Sequence, residues 1–274
     1  MKRRYATIIL RIIVRIRVLF NRIMMKYFMS DTSISHVSMF HNIIQSGKGC
    51  MDPNDCEIEN LIDYIEYCHE SGIRFVTAEE LFSTNPQVAK RNMAIITFDD
   101  GFESLYSVVN RELSGRGIPF LCFITTSYIG EKGYISKEQL IELSQNPLCT
   151  IGMHADQHIQ WRNEESDKIT QDYNKCKEIL SHIIGYEPQY YAFPYGSVLA
   201  VSRRNIKDIG KMNPKAIFLT DQRKLSLRLL RNAQKGLPRL DIAGYYSGLY
   251  REEYRGLKIG EKDQSNNYRS TRND

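Results

Sequence analysis

The sequence has no CxxC pair, no P-loop, no GxGxxG and no internal repeat. Its N-terminal segment has no apolar run longer than three or four residues. Each absence narrows the possibilities. Without a phosphate-cradling glycine loop, the usual signatures of nucleotide binding are missing. In a chain of 274 residues, Cys50, Cys56, Cys68, Cys122, Cys149 and Cys176 do not read as a disulfide framework. Cys122 and Cys149 lie in apolar, strand-like stretches and read as buried thiols, whereas Cys50 and Cys56 could pair. A secretory signal needs roughly 7–15 uninterrupted apolar residues and a membrane span about 20. "YATIILRIIVRIRVLFNRIMMKYF" is interrupted by Arg or Asn too often to fit either.

Acid is also missing from residues 1–30, which carry Lys2, Arg3, Arg4, Arg11, Arg15, Arg17, Arg22 and Lys26. The other 244 residues hold 29 basic and 32 acidic side chains, so the net charge of +5 belongs to the N-terminus. The body is not a basic surface built for nucleic acid. At helical spacing, Arg4, Arg11, Arg15, Arg22 and Lys26 fall within an arc of roughly 60°. Apolar residues fill most of the remainder. This predicts a basic amphipathic helix lying on a membrane interface beside anionic lipid. A helix packed on the domain or recruiting a partner protein is the alternative.

What is present is globular: 42% hydrophobic and 25% charged residues, with only 17 Gly and 8 Pro. The boundaries expected are a basic segment over 1–30, one domain over 31–245 and a polar, disordered tail over 246–274. Strand-like and helix-like stretches alternate from about residue 34. "SHVSMF" (35–40), "IRFV" (73–76), "MAIITF" (93–98), "IPFLCFIT" (118–125), "CTIGM" (149–153), "YYAF" (190–193), "KAIFLT" (215–220) and "LPRLDI" (237–242) read as strands. Helical patterns within 52–72 and over 103–117, 136–144, 166–185 and about 198–209 separate them. Such alternation means an α/β fold with a parallel sheet, and this many strands suggest a complete or incomplete barrel.

Polar residues then fall where strands end: His41, Asp99 with Asp100, His154 with His158, and Tyr195 after Pro194. In a (β/α) barrel those ends meet on one face, where active sites are built. The i, i+4 spacing of His154 and His158 can place two imidazoles on one side of a helical turn, near enough to share a metal. A carboxylate would complete a two-His, one-carboxylate set. Asp99 and Asp100 leave a strand in different directions, so one can bind metal and the other can accept a proton. An ordinary Asp-Gly turn is the competing explanation for the pair. His36, His69 and His182 read as surface or structural residues.

At these positions the chain resembles the polysaccharide deacetylase family (the NodB-homology domain, carbohydrate esterase family 4). "TFDDG" (97–101) matches its first motif. "HADQH" (154–158) matches H-(S/T)-x-x-H with Ala155 at the Ser/Thr position, and "FPYG" (193–196) matches R-x-P-(Y/F) without the arginine. "GIPFLCFITTSYIG" and "ISKEQLIEL" resemble the stretch between the first two motifs, and the likeness spans roughly 35–245. The resemblance implies a distorted (β/α)7 barrel, TIM-barrel-like. It implies a divalent metal, usually Zn2+, on Asp100, His154 and His158. It makes Asp99 the general base and lets the Tyr195 backbone N–H hold the oxyanion. Phe193, Pro194 and Arg239 are substrate-binding candidates. Arg239 is also the candidate to orient Asp99 in place of the missing arginine.

The family's C-terminal histidine is absent, since the last histidine here is His182, and Ile159 stands where proline often follows the second histidine. "VSMFHNI" (37–43) is similar to the N-terminal strand of the biofilm poly-N-acetylglucosamine deacetylase branch, which makes His41 the general-acid candidate. The implied activity is hydrolysis of N-acetyl groups on a polysaccharide or lipid-linked glycan, with acetate released. Peptidoglycan or chitin-like oligomers are alternative substrates. A non-catalytic, membrane-associated glycan-binding domain is the alternative from another class. The expected location is peripheral to a membrane, on its cytoplasmic face, with an extracytoplasmic site as the other option.

Overall fold

A computed structural model of the chain describes residues 35–45, 52, 54–83, 92–221, 225 and 227–242. The basic segment 1–30, Cys50 and the tail 246–274 lie outside them.

The sheet strands are β1 (His36–Phe40), β4 (Arg74–Phe75), β5 (Met93–Phe98), β6 (Phe120–Ile124), β7 (Cys149–Met153), β8 (Tyr190–Ala192), β9 (Ala216–Leu219), β10 (Leu237–Pro238) and β11 (Leu240–Asp241). The small strands β2 (Asn42–Ile44) and β3 (Asp55–Glu57) make a separate pair. Every pairing is parallel, in the order β10-β9-β8-β7-β6-β5-β1-β11, with β4 added beside β5. The two ends of that order are neighbours in sequence, separated only by Arg239. Leu237–Asp241 therefore acts as one stave, hydrogen-bonded to β9 on one side and β1 on the other. The ring has seven staves and is nearly closed, which is the distorted (β/α)7 barrel.

Its sequence explains its burial. All six residues of β5 are buried, as a parallel strand covered on both faces requires. Alternate residues feed two cores. Ile96, Phe98, Cys122 and Ile124 pack with helix residues such as Leu61, Leu105, Leu140 and Leu180. Ile95, Leu121, Phe123 and Phe218 belong to the second cluster, where the Phe123 and Phe218 rings lie 5.2 Å apart. Gly152 is needed for this packing, since a Cβ there would come within 2.7 Å of the Phe123 ring.

Helix ends follow local chemistry. Ser136 and Gln139 form the expected capping box, with Gln139 N donating to Ser136 Oγ at 3.2 Å and Ser136 N donating to Gln139 Oε1 at 2.8 Å. Gly185, at φ 79°, closes the helix Ser166–Ile184. Three expectations shift. The helical pattern within 52–72 begins only at Ile58, because Asp55–Glu57 pairs with β2. The helix expected from 198 starts at Arg203, where Ser202 and Asn205 make another capping box. The stretch after β5 starts as a wide π turn over Leu105–Val109 before becoming α-helical at Asn110. Cys68, Cys122, Cys149 and Cys176 are buried free thiols, and Cys56 is buried as well. His36 is a structural residue, buried and 2.7 Å from the Tyr64 hydroxyl. Among the described residues, no helix is long and apolar enough to cross a membrane.

Candidate active site

Register brings the chemistry to one rim. Phe40 pairs with Phe98, Ile124 with Met153, and Met153 with Tyr191. The residues that follow, His41, Asp99, His154 and the 193–196 turn, therefore leave the barrel at the same level. Asp99 N donates to Phe40 O (3.0 Å) and His154 N to Ile124 O (2.9 Å), extending both ladders by one residue.

Three ligand atoms converge there. The Asp100, His154 and His158 ligand atoms all lie within 4.8 Å of one another. Asp100 Oδ1 is 3.3 Å from His154 Nε2 and 3.1 Å from His158 Nε2. Yet this buried oxygen has no hydrogen-bond partner among the described residues. His154 Nδ1 lies 2.9 Å from the Ala192 carbonyl, which can only accept, so Nδ1 carries the hydrogen. In the neutral ring the Nε2 lone pair then faces the orphaned carboxylate oxygen. Lone pairs aimed at one point fit a cation between them, and the donor set suits a divalent metal such as zinc.

Asp99 is held differently. Arg239 grips both its oxygens, Nη1 to Oδ1 and Nη2 to Oδ2, each at 2.6 Å. Nη1 also donates to Thr97 Oγ1 at 3.2 Å, and the guanidinium sits 5.3 Å from the Phe123 ring centre. Burial would raise the Asp99 pKa, but the Arg239 charge, with help from His154 and His41, holds it below the usual value. Burial likewise opposes ionisation of Asp100, while the His154 and His158 rings, when protonated at Nε2, carry it well below the ordinary range. His41 is half-buried, and its charge acts on both carboxylates.

Tyr195 stands at the mouth. It is 50% exposed, with its ring 4.5 Å from that of His158. Its backbone N–H has no partner among the described residues, while its carbonyl accepts from Thr220 Oγ1 at 2.7 Å. Gly196 is required beside it, because a Cβ there would lie 2.6 Å from Thr220 N. The Tyr128 ring lies 6.0 Å from that of His158, and the Tyr134 ring is tilted against Tyr128 at 4.6 Å. Burial and then the Asp100 charge raise both phenols.

One expectation is corrected. Residues 154–160 form no helical turn. The imidazoles converge because Ala155 adopts φ 67° and because outside groups hold the loop. Asp172, on the helix Ser166–Ile184, accepts from the N–H groups of Asp156 and Gln157, both at 2.9 Å. The Asp156 side chain accepts from Thr126 Oγ1 and Lys175 Nζ, both at 2.7 Å. Of the substrate-binding candidates, Phe193, Pro194 and Arg239 are all buried, with Phe193 against Tyr191 and Arg239 bound to Asp99. Asp172, Thr126 and Lys175 carry no motif, and nothing in the sequence marks them. Three of the five described non-glycine residues with positive φ are Asp100, Ala155 and Tyr195. Each such conformation costs of order 1–3 kcal/mol, and such strain gathers at functional sites.

Comparisons with known proteins bear on the family and the fold. The profile of the family described as polysaccharide deacetylase matches residues 87–213. A Bacillus subtilis (strain 168) protein, YxkH, whose name gives polysaccharide deacetylase as a provisional assignment, is 23% identical over 162 residues. That match covers 58% of this chain and 56% of the relative's length. IcaB from Ammonifex degensii has a TM-score of 0.65 at 19% identity, over 78% of this chain and 97% of that one. The Streptococcus pyogenes deacetylase PplD, solved with acetate, has a TM-score of 0.67 at 18% identity, over 80% and 97%.

Proposed function

We propose, on the match of the polysaccharide deacetylase profile to residues 87–213, that the chain hydrolyses N-acetyl groups of an N-acetylated polysaccharide or lipid-linked glycan. The products are acetate and a sugar amine. One observation carries this reading: a partnerless Asp100 Oδ1 and two imidazoles converge beside an aspartate locked by a buried arginine.

Asp100, His154 and His158 would hold the divalent metal, with Zn2+ suited to the donor set. A metal bound there supplies Lewis acidity toward a carbonyl oxygen and toward water. The protein's own groups do the rest. Asp99, fixed in orientation by Arg239, accepts a proton from the attacking water. The water oxygen bonds to the acetyl carbon, and the Tyr195 N–H donates to the carbonyl oxygen as negative charge develops on it. The C–N bond then breaks, and His41 delivers a proton to the departing nitrogen. Arg239 does not touch the substrate. It keeps the base ionised and aimed.

The test is acetate release from N-acetylglucosamine oligomers, peptidoglycan fragments and lipid-linked sugars, with metal analysis of the same sample. Release that a chelator abolishes and zinc restores is the expected result. A metal-loaded protein that binds glycan but releases no acetate from any class would replace this reading with a binding role. We also propose that residues 1–30 rest on the surface of an anionic membrane, which would place the site beside membrane-linked sugars. Co-sedimentation with anionic liposomes, lost on deleting 1–30, is expected. Undiminished binding without the segment would reject it.

A further inference from the structure

His154 continues the ladder of β7, but His158 reaches the same point across a loop with no helical bonds of its own, and we infer that Asp172 is the positioning residue that sets the convergence of the two imidazoles. This rests on the metal-binding reading of Asp100, His154 and His158. A helical turn would satisfy its N–H groups internally, but residues 155–157 do not form one. Ala155 turns into the left-handed region, and the next two N–H groups, Asp156 and Gln157, both donate to Asp172. One oxygen takes each bond, at 2.9 Å in both cases. Two successive peptide planes between the ligands are thereby fixed by one carboxylate, which touches neither imidazole.

Other ties leave this task to Asp172. Thr126 N donates to Ala155 O at 3.2 Å and Ser127 N to Asp156 O at 3.1 Å, so the turn at 125–127 holds the carbonyl side of the loop. Thr126 Oγ1 and Lys175 Nζ hold only the Asp156 side chain. Asp172 alone secures the N–H side. It does so in an unfavourable setting: burial raises its carboxyl from 3.8 to about 6 despite the two N–H donors. A carboxylate kept where burial disfavours its charge fits a loop that needs two acceptors at once. Asparagine would place an NH2 against one of the two N–H groups.

Zn2+ and Co2+ dissociation constants would be measured for the full chain and for Asp172→Asn, Asp172→Glu and Lys175→Met. Visible absorption of the Co2+ forms would report ligand geometry. The expected result is a loss of roughly ten- to hundredfold in affinity for Asp172→Asn, the scale on which outer groups act on metal ligands. Its Co2+ spectrum should change, Asp172→Glu should fall between it and the parent, and Lys175→Met should bind nearly normally. If Asp172→Asn does not fold, Asp172→Glu, which keeps the charge and moves it by one methylene, carries the test. Folded Asp172 variants with the parent's affinity and spectrum would overturn the positioning role while leaving the metal site standing. A parent chain that binds neither ion would overturn the metal site and this inference with it.

Discussion

Asp99 and His158 serve one point from opposite kinds of support. Asp99 follows a strand directly, its N–H extends the ladder to Phe40, and its carboxylate is gripped from within the barrel by Arg239. His158 ends a five-residue loop whose N–H groups are held from outside, by a helix packed on the barrel. The strand-mounted half inherits its precision from the sheet. The loop-mounted half has no such inheritance, so a strained Ala155 and a half-buried carboxylate supply it. A site can thus be rigid on one side by architecture and on the other by local ties, and substitutions should separate the two.

The largest effect is expected where the halves meet. Asp100→Ala removes the one carboxylate both imidazoles approach, so metal binding and acetate release should both fall to background, read by metal analysis and an acetate assay. Arg239→Leu attacks only the strand side. It leaves Asp99 buried without its partner, and losing one member of a buried ion pair costs about 3–5 kcal/mol. Thermal unfolding should show that loss, and turnover should drop even in the folded fraction while zinc affinity stays near the parent's. Arg239→Lys should recover only part, because lysine cannot make the two-pronged contact. Unchanged turnover in Arg239→Leu would mean that Asp99 needs no orienting.

Gly196→Ala probes the third support, the turn carrying Tyr195. An added Cβ would meet Thr220 N at 2.6 Å and must displace the Tyr195 N–H, so kcat should fall roughly 10²-fold, as losing an oxyanion donor does, with KM little changed. The smallest effect is on stability against pH. Asp172 has a folded pKa raised from 3.8 to about 6, so its protonated form favours the fold. Its contribution is fully present below about pH 4 and is lost as pH rises through about 6. The melting temperature of the metal-free protein should carry a shallow decline across that window, and Asp172→Asn should remove it. The same decline in Asp172→Asn would assign it to another group.

The strand-mounted half was legible in the sequence. Largely apolar runs such as 93–98 end in polar residues, and a parallel barrel sends such ends to one face, so Asp99, Asp100, His154 and Tyr195 could be placed together from the sequence. The loop-mounted half was not. An i, i+4 histidine pair fits a helical turn and a loop equally well, and Asp172 is one more acidic residue on a helix with an ordinary pattern. Arg239 lies between. "LPRLDI" identifies a strand and a candidate arginine, but sequence does not say that a residue 140 positions away is its partner. That depends on the ring closing, which no local pattern encodes. The burial of Phe193 and Pro194 was hidden for the same reason: motif membership puts them near the site, while the direction of the turn decides which side chains face out.

The closing stave has a consequence for how the protein is made. Synthesis delivers Asp99 long before Arg239, and the ring shuts only when Leu237–Asp241 inserts between β9 and β1. Until then the base lacks the guanidinium that keeps it charged and aimed, although the three ligand residues have already been synthesised. In the proposed mechanism, a charged and aimed Asp99 therefore requires the last piece of the sheet.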